Sequence, residues 1–461
     1  MSSETATVEH SRANGLVIRS VVATSVGGLI FGFDTAVISG TTKSLGAVFN
    51  LNPQSLGFTV ASATIGTIVG ALSGGGLADK YGRKKLLFAI GALFLLGSLG
   101  TALAPASAYW LFFGSRFFGG VGVGMASVCA PIYIAKIARG RLVGLVQFNI
   151  VLAILVSYAS NAIIRAIAPH DTAWRWMLGI MAVPSIIFLL LLFTVPETPR
   201  WLMAQGREEQ AKAISLKLCS SQEESDQEPA VIKQQIQRDL EQSKTKVKFF
   251  SKRYRKVILM AIAIAAFNQL SGINAILYYA PMVMQETGAG ENASYLMSIA
   301  VGFMNLVATM TALTVIDKLG RRTLMLVGSI GYLVSLGFLT FVMFRFEGHF
   351  TSGSSVLVLI GILVFIAAHA FGQGSVIWVF ISEIFPNKVR GAGQSVGSTT
   401  HWTFAAITSG VFPSMIAFLG GGWSFFIFFL CMCGQLLWVL KVMPETKGIL
   451  LEEMSKKLGV E

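Results

Sequence analysis

Long apolar runs separated by short polar connections set the rhythm of this chain. Runs of about twenty residues, enough to cross a hydrocarbon core roughly 30 Å thick, fall near 16–40, 55–78, 85–104, 108–134, 142–165 and 173–195. They resume near 256–281, 295–316, 322–345, 354–381, 391–416 and 421–441. The pattern predicts twelve crossing helices, six plus six, in an all-α membrane protein. Between the two sets, residues 201–255 lose hydrophobicity and gain charge. There Glu208–Leu218 consists of good helix formers and Val231–Leu240 carries apolar residues at helical spacing, with the polar run SSQEESDQEP between them. The predicted organisation is a six-helix half over 1–200, a helical linker over 201–255, a second six-helix half over 256–443 and a tail over 444–461.

The two halves repeat each other's polar punctuation. Gly75–Lys85 reads GGLADKYGRKK and Asp317–Arg322 reads DKLGRR, each after the second span of its half. PETPR at Pro196–Arg200 and PETKG at Pro444–Gly448 each close the sixth. Duplicated parallel halves enclosing a central site are an architecture of secondary transporters. A composition of 54% hydrophobic and only 13% charged residues, with mean hydropathy +0.67, excludes a soluble two-domain protein.

Charge sets the orientation. Lys80, Arg83, Lys84, Lys85, Lys136, Arg139, Arg141, Lys318, Arg321, Arg322, Lys388 and Arg390 all fall on one side, against Lys43, Arg165 and Arg345 on the other. Basic residues near span ends stay in the cytoplasm, so both termini and the linker are expected there. The net charge of +13 is then a topology signal and an attraction to anionic lipid, with no nucleic-acid partner implied. The four cysteines, Cys129, Cys219, Cys431 and Cys433, have no metal-site or disulfide-framework spacing. The polar leader MSSETATVEHSRANG lacks the pattern of a cleavable signal peptide.

Polar residues inside the apolar spans carry the candidate chemistry. Asn268, Gln269, Asn274, Tyr278 and Tyr279 sit in the seventh span, interrupted at Ser271-Gly272. Each amide both donates and accepts hydrogen bonds, which suits a hydroxyl group and hence a neutral polyol. Gln147, Asn305, Trp378, His401 and Trp402 complete the set, Trp378 offering a ring face to sugar C–H groups. Interhelical hydrogen bonding is the structural alternative, at about 0.6–2 kcal/mol per contact. Asp34 lies inside the first span, where a carboxylate is expensive and marks function by default; Arg116 in the fourth span is its natural partner, either for a titratable switch or for a structural ion pair.

The motif set resembles the sugar porter family of the major facilitator superfamily, over essentially the whole chain. Besides the repeated motifs, it includes FGFDTAVISG at Phe31–Gly40, NQLSGINAILYYAP at Asn268–Pro281, GQGSVIWVFISEIFPNKVRG at Gly372–Gly391 and GQSVGSTTHW at Gly393–Trp402. Within the family it looks closest to the bacterial proton-coupled branch, that of the D-xylose/proton symporters. The resemblance implies a major facilitator fold with sugar contacts at Gln147, Gln269, Asn274, Asn305 and Trp378. It also implies Asp34 as the protonation site, modulated by Arg116. Asn268, His401 and Ala370 depart from the pattern, standing where relatives often have a glutamine, an amide and, in glucose facilitators, a glutamate.

The resemblance further implies ion pairs closing the inner side, from Asp79, Arg83, Lys84, Arg139, Glu197, Arg200, Asp317, Arg321, Arg322, Glu383, Arg390 and Glu445. The first half departs here: Phe380 reaches Arg390 in ten residues, but Tyr133 reaches Arg139 in six, with no matching glutamate. About one helical turn and one carboxylate are missing, which predicts a weakened inner gate and a bias toward inward-open states.

The resulting expectation is uptake of a neutral monosaccharide, a pentose or hexose such as xylose or glucose, by proton symport and alternating access. The alternatives are a proton-independent facilitator and a non-transporting sugar sensor. An enzyme is disfavoured, because no nucleophile triad, metal cluster or paired carboxylates appear. The proton is the coupling ion and no cofactor is expected; the partners are the sugar and the lipid bilayer. The protein is expected as a monomer spanning a bacterial cytoplasmic (inner) membrane.

Overall fold

The computed structural model describes residues 15–137, 144–218, 229–237, 248–449 and 451–460. Its first five spans are α1 (Gly15–Val37), α2 (Pro53–Tyr81), α3 (Arg83–Leu103), α4 (Tyr109–Ile137) and α5 (Gly144–Ile167). The sixth, α6 (Ala173–Leu192), is built from two short helical pieces. In the second half α7 (Arg255–Glu286) and α10 (Ser352–Ile384) are interrupted, whereas α8 (Glu291–Leu319) and α9 (Arg321–Phe346) are continuous. The last membrane-crossing helical run, Arg390–Lys441, has 52 residues. A straight α-helix of that length would be about 78 Å long, more than twice the roughly 30 Å hydrocarbon core. Gly420, at φ 78°, breaks it, so residues 390–419 (α11) and 421–441 (α12) cross separately. Twelve crossings result among the described residues, as the hydrophobic pattern predicts.

The outer surface of the bundle is what lipid requires. Leu72, Leu96, Phe118, Ile163, Leu190, Phe303, Val334, Phe341 and Leu437 are all exposed. Trp110, Trp176 and Trp423, also exposed, sit near the starts of α4, α6 and α12, at the end of the bundle away from the DKYGRKK and DKLGRR turns. Tryptophan collects at the membrane–water boundary because its ring is apolar and its N–H is polar. Helices Pro199–Ala204, Glu208–Leu218 and 229–237 lie between α6 and α7, and Leu451–Leu458 follows α12.

The halves touch mainly at the end away from the repeated basic turns. Tyr158 of α5 donates to the Leu277 carbonyl of α7 at 2.6 Å, and Tyr295 of α8 donates to the Gly40 carbonyl at 2.8 Å. Arg165 pairs with Glu291 at 2.6 Å, and Lys43 donates to Gln285 at 3.2 Å. The tightest approach is α2 on α11: a Cβ on Gly57 would lie 1.8 Å from the Gly410 carbonyl oxygen. Only a residue without a side chain allows this approach. Gly57→Leu is therefore expected to wedge this end apart. A cysteine introduced at Thr64, buried here, should then react with a bulky maleimide at least roughly tenfold faster than in the parent, by the ordinary loss of burial protection on opening; equal labelling rates would refute the wedge.

Candidate solute and proton site between the halves

Two interrupted helices create the site. Gly272 adopts a left-handed conformation (φ 88°) and divides α7 into Arg255–Leu270 and Ile273–Glu286, at the Ser271-Gly272 break visible in the sequence. In α10, Ala370–Gly374 forms a π turn between Ser352–His369 and Ser375–Ile384. π turns occur frequently at functional sites. Irregular backbone at membrane depth is tolerated only inside protein or along a cavity.

Around these breaks the predicted polar residues converge. Gln269 donates to the Asn268 side-chain oxygen at 2.9 Å and approaches His401 Nε2 at 3.2 Å. Its own Oε1 is buried without a partner. The Trp378 and His401 rings lie 5.1 Å apart, and His401 meets Trp402 edge-on at 4.9 Å. The structure thus brings Asn268, Gln269, Trp378, His401 and Trp402 into one cluster, in which Trp378 stays 42% exposed. Asn274 on α7 and Asn305 on α8 are buried and Gln147 on α5 is half-buried. None of these three makes a side-chain hydrogen bond to another described residue, so their donors and acceptors remain open to a ligand.

Asp34 and Arg116 meet inside the first half. Arg116 Nη1 donates to Asp34 Oδ1 at 2.6 Å, with the Arg116 side chain 5% and the Asp34 side chain 10% exposed. Such a buried pair holds its charge only while both members are present. Tyr278, on α7 like Asn268, Gln269 and Asn274, lies close to Thr64 on α2 and to the charges of Asp34 and Arg116.

Several contributors had no label in the sequence reading. Phe31 packs edge-on against Trp402 at 5.8 Å, bringing α1 to the C-terminal cluster. Tyr332 on α9 bonds His369 Nδ1 at 2.6 Å and lies close to Ser271 at the α7 break. Polar residues in apolar spans were the available signal, but the partners are remote in sequence.

At the basic end the two halves carry matching clamps. Glu197 accepts from the backbone N–H groups of Arg83, Lys84 and Thr198 at 3.2, 2.9 and 2.8 Å, capping α3. Arg83 pairs with Asp79 at 3.1 Å and donates to Thr198. Glu445 likewise accepts from Arg321, Arg322, Thr446 and Lys447 at 2.9, 3.0, 2.9 and 3.0 Å, capping α9. Glu383 pairs with Arg321 at 2.9 Å and accepts from the Thr446 hydroxyl at 2.6 Å. Arg390 lines a cavity of about 260 Å³ with Glu383, Thr446 and Met454, and Arg200 follows Glu197 on the next short helix. These ion pairs each join residues of one half. Asp317 lies on α8, its side chain outside the description; α4 continues past Tyr133 to Ile137, and Arg139 with the rest of the shortened connection lies outside the described residues. Tyr133 itself is buried and donates to the Pro196 carbonyl at 2.7 Å.

A profile described as "Sugar (and other) transporter" matches residues 20–458. The chain belongs to this family. It is 34% identical to the D-xylose-proton symporter of Escherichia coli K12, covering 95% of the chain and 94% of that protein. It is also 34% identical to the arabinose-proton symporter of Bacillus subtilis, covering 97% and 96%. Its fold matches the inward-open conformation of the E. coli xylose transporter XylE with a TM-score of 0.84 at 33% identity, over 96% of this chain and 99% of that one. As a member of the sugar transporter family, the chain has the major facilitator fold in two six-helix halves and is an integral, multi-pass membrane protein. The contacts between its halves at one end, with the clamps kept within each half at the other, agree with that inward-open likeness.

The Glu445 clamp gives a pH-dependent expectation. Burial pulls its carboxyl pKa up, but the four backbone donors outweigh burial and hold it below its ordinary value. A lowered folded pKa contributes stability that is complete above the unfolded value of about 4.3 and is lost as the pH falls through the folded value. Glu445→Gln should therefore lower the Tm at pH 7, and the gap from wild type should narrow below about pH 4. Thermal unfolding at both pH values tests this; a gap independent of pH would exclude the carboxylate charge as its source.

Proposed function

We propose that this transporter takes up a neutral monosaccharide, a pentose or hexose such as xylose or glucose, by proton symport through alternating access. The observation that carries the reading is the buried Asp34–Arg116 pair, set in a sugar transporter fold and electrically within reach of Tyr278. A carboxylate is stable in this position while paired and tends to take up a proton when the pairing weakens in a dry environment. Its proton affinity can therefore differ between the two faces of the cycle, with Arg116 setting the difference. The proton is the coupling ion and no other cofactor takes part.

In this reading the ligand set is Gln147, Asn268, Gln269, Asn274, Tyr278, Asn305, Trp378, His401 and Trp402. Amides, a phenol and ring faces suit hydroxyls and C–H groups and provide no fixed charge for an ionic substrate. Sugar would give the buried Gln269 oxygen a partner and compete with His401 for its N–H. Binding and release need no covalent step, so the protein is a carrier and not an enzyme. The clamps at Asp79, Arg83, Glu197, Arg321, Glu383 and Glu445 stiffen each half at the inner gate, and Arg139, Arg200, Asp317 and Arg390 are the further gating residues that the family resemblance implies. The basic end faces the cytoplasm of a bacterial cell, by the positive-inside rule, which places both termini inside. The working unit is the monomer, because each chain contains both halves.

Two matched experiments in proteoliposomes test the reading. With an imposed acidic-outside gradient, the wild type should concentrate radiolabelled D-xylose or D-glucose, and dissipating the gradient should abolish accumulation. Asp34→Asn should lose gradient-driven accumulation at least roughly tenfold, as removal of an essential proton carrier requires, while still exchanging sugar down its concentration gradient. Undiminished accumulation by Asp34→Asn would move the coupling proton to another site, whereas a wild type that only equilibrates sugar, with or without the gradient, would be a facilitator.

A further inference from the structure

Behind the amide cluster lies a second chain of buried polar groups. Gln373, inside the π turn of α10, donates to Gln435 of α12 at 2.8 Å, and Gln435 donates to Ser329 of α9 at 2.8 Å. All three residues are fully buried. Ser329 completes its own donation to the Met325 carbonyl at 2.7 Å. Gln373 Oε1 has no partner. The chain ties α10 to two neighbouring helices at the level where α9 and α10 come closest: a Cβ on Gly372 would lie 2.9 Å from Gly328 Cα.

The place of this chain in α10 matters more than its burial. A π turn contains one more residue than an α turn, which rotates everything after it by about 100° relative to an unbroken helix. Trp378 lies on the limb immediately after Ala370–Gly374, and that rotation helps to set its ring beside His401. In a regular α-helix the same side chain would leave the axis in another direction. Gln373 is the long polar side chain within the π turn, and Gln435 is its partner.

We propose that Gln373 and Gln435 are positioning residues for Trp378. Their amide pair holds the π turn of α10, and the π turn aims the indole into the solute site. This inference rests on the reading of Trp378 as a sugar contact. The decisive variant is the double Gln373→Leu/Gln435→Leu, because replacing both partners with apolar side chains of similar length leaves no orphaned buried amide. D-xylose and D-glucose binding to purified protein, together with the Tm, are the measurements.

Trp378→Ala should weaken binding roughly tenfold, the order expected for loss of an aromatic platform. The double variant should weaken it several-fold while its Tm stays within about 3 °C of wild type. A merely structural amide pair would leave affinity untouched at equal Tm, so wild-type affinity in the double variant overturns the proposal. Ser329→Ala removes only the far acceptor of the chain and should weaken binding by a smaller factor. If the double variant does not fold and Ser329→Ala binds as wild type, the proposal also fails. Wild-type affinity in Trp378→Ala would instead overturn the sugar-site reading on which it rests, whereas a defect in Trp378→Ala alone sinks only the positioning role.

Discussion

Hydrocarbon offers a polypeptide backbone no hydrogen-bond partner, and this constraint shapes the whole molecule. Every crossing is helical because an α-helix satisfies its own N–H and C=O groups. The departures at Ser271-Gly272 and Ala370–Gly374 are confined to the interior, where side chains can compensate. The Ser271 hydroxyl donates to the Asn268 carbonyl at the first break, and Gln373 with Gln435 occupies the second. The breaks also gather the amides and rings of the candidate site, since an interrupted helix can turn its polar residues toward a cavity that a regular one would bury against a neighbour.

The distribution of contacts explains how such a bundle can work in two states. Near one end, hydroxyls meet carbonyls across the halves, as in Tyr158 to Leu277 and Tyr295 to Gly40, and glycines let backbones touch. At the other end Glu197 and Glu445 each bind backbone donors of their own half. Clamps of this kind stiffen a six-helix unit without joining it to its partner, which suits rigid-body rocking about a central site. The Asp34–Arg116 pair lies between α1 and α4, and most of the amide cluster lies on α7, α10 and α11. Tyr278 and Phe31 reach from one set to the other. Under the proposed mechanism these contacts are where protonation and solute binding would influence each other.

Much of this was legible in the residues. The twelve apolar runs, the DK-x-GR repeats and the Ser271-Gly272 interruption each report local chemistry, and local chemistry is what a sequence displays. Asp34 was conspicuous because a lone carboxylate in an apolar run has no inexpensive explanation. Gln373 escaped interpretation for the opposite reason: a glutamine between glycines looks ordinary until Gln435, some sixty residues later, is found beside it. Phe31 likewise looked like one apolar residue among many, although it packs on Trp402.

The sequence by itself determined that the chain crosses the membrane twelve times, that its halves are related, and which polar residues are anomalous in lipid. Hydropathy, charge and turn chemistry are properties of neighbours along the chain. Only the tertiary structure decided that Arg116 meets Asp34, that Gln269 turns toward His401 instead of standing free, and that the contacts between halves gather at one end. Those outcomes depend on distances between residues far apart in sequence, so no pattern read along the chain could specify them.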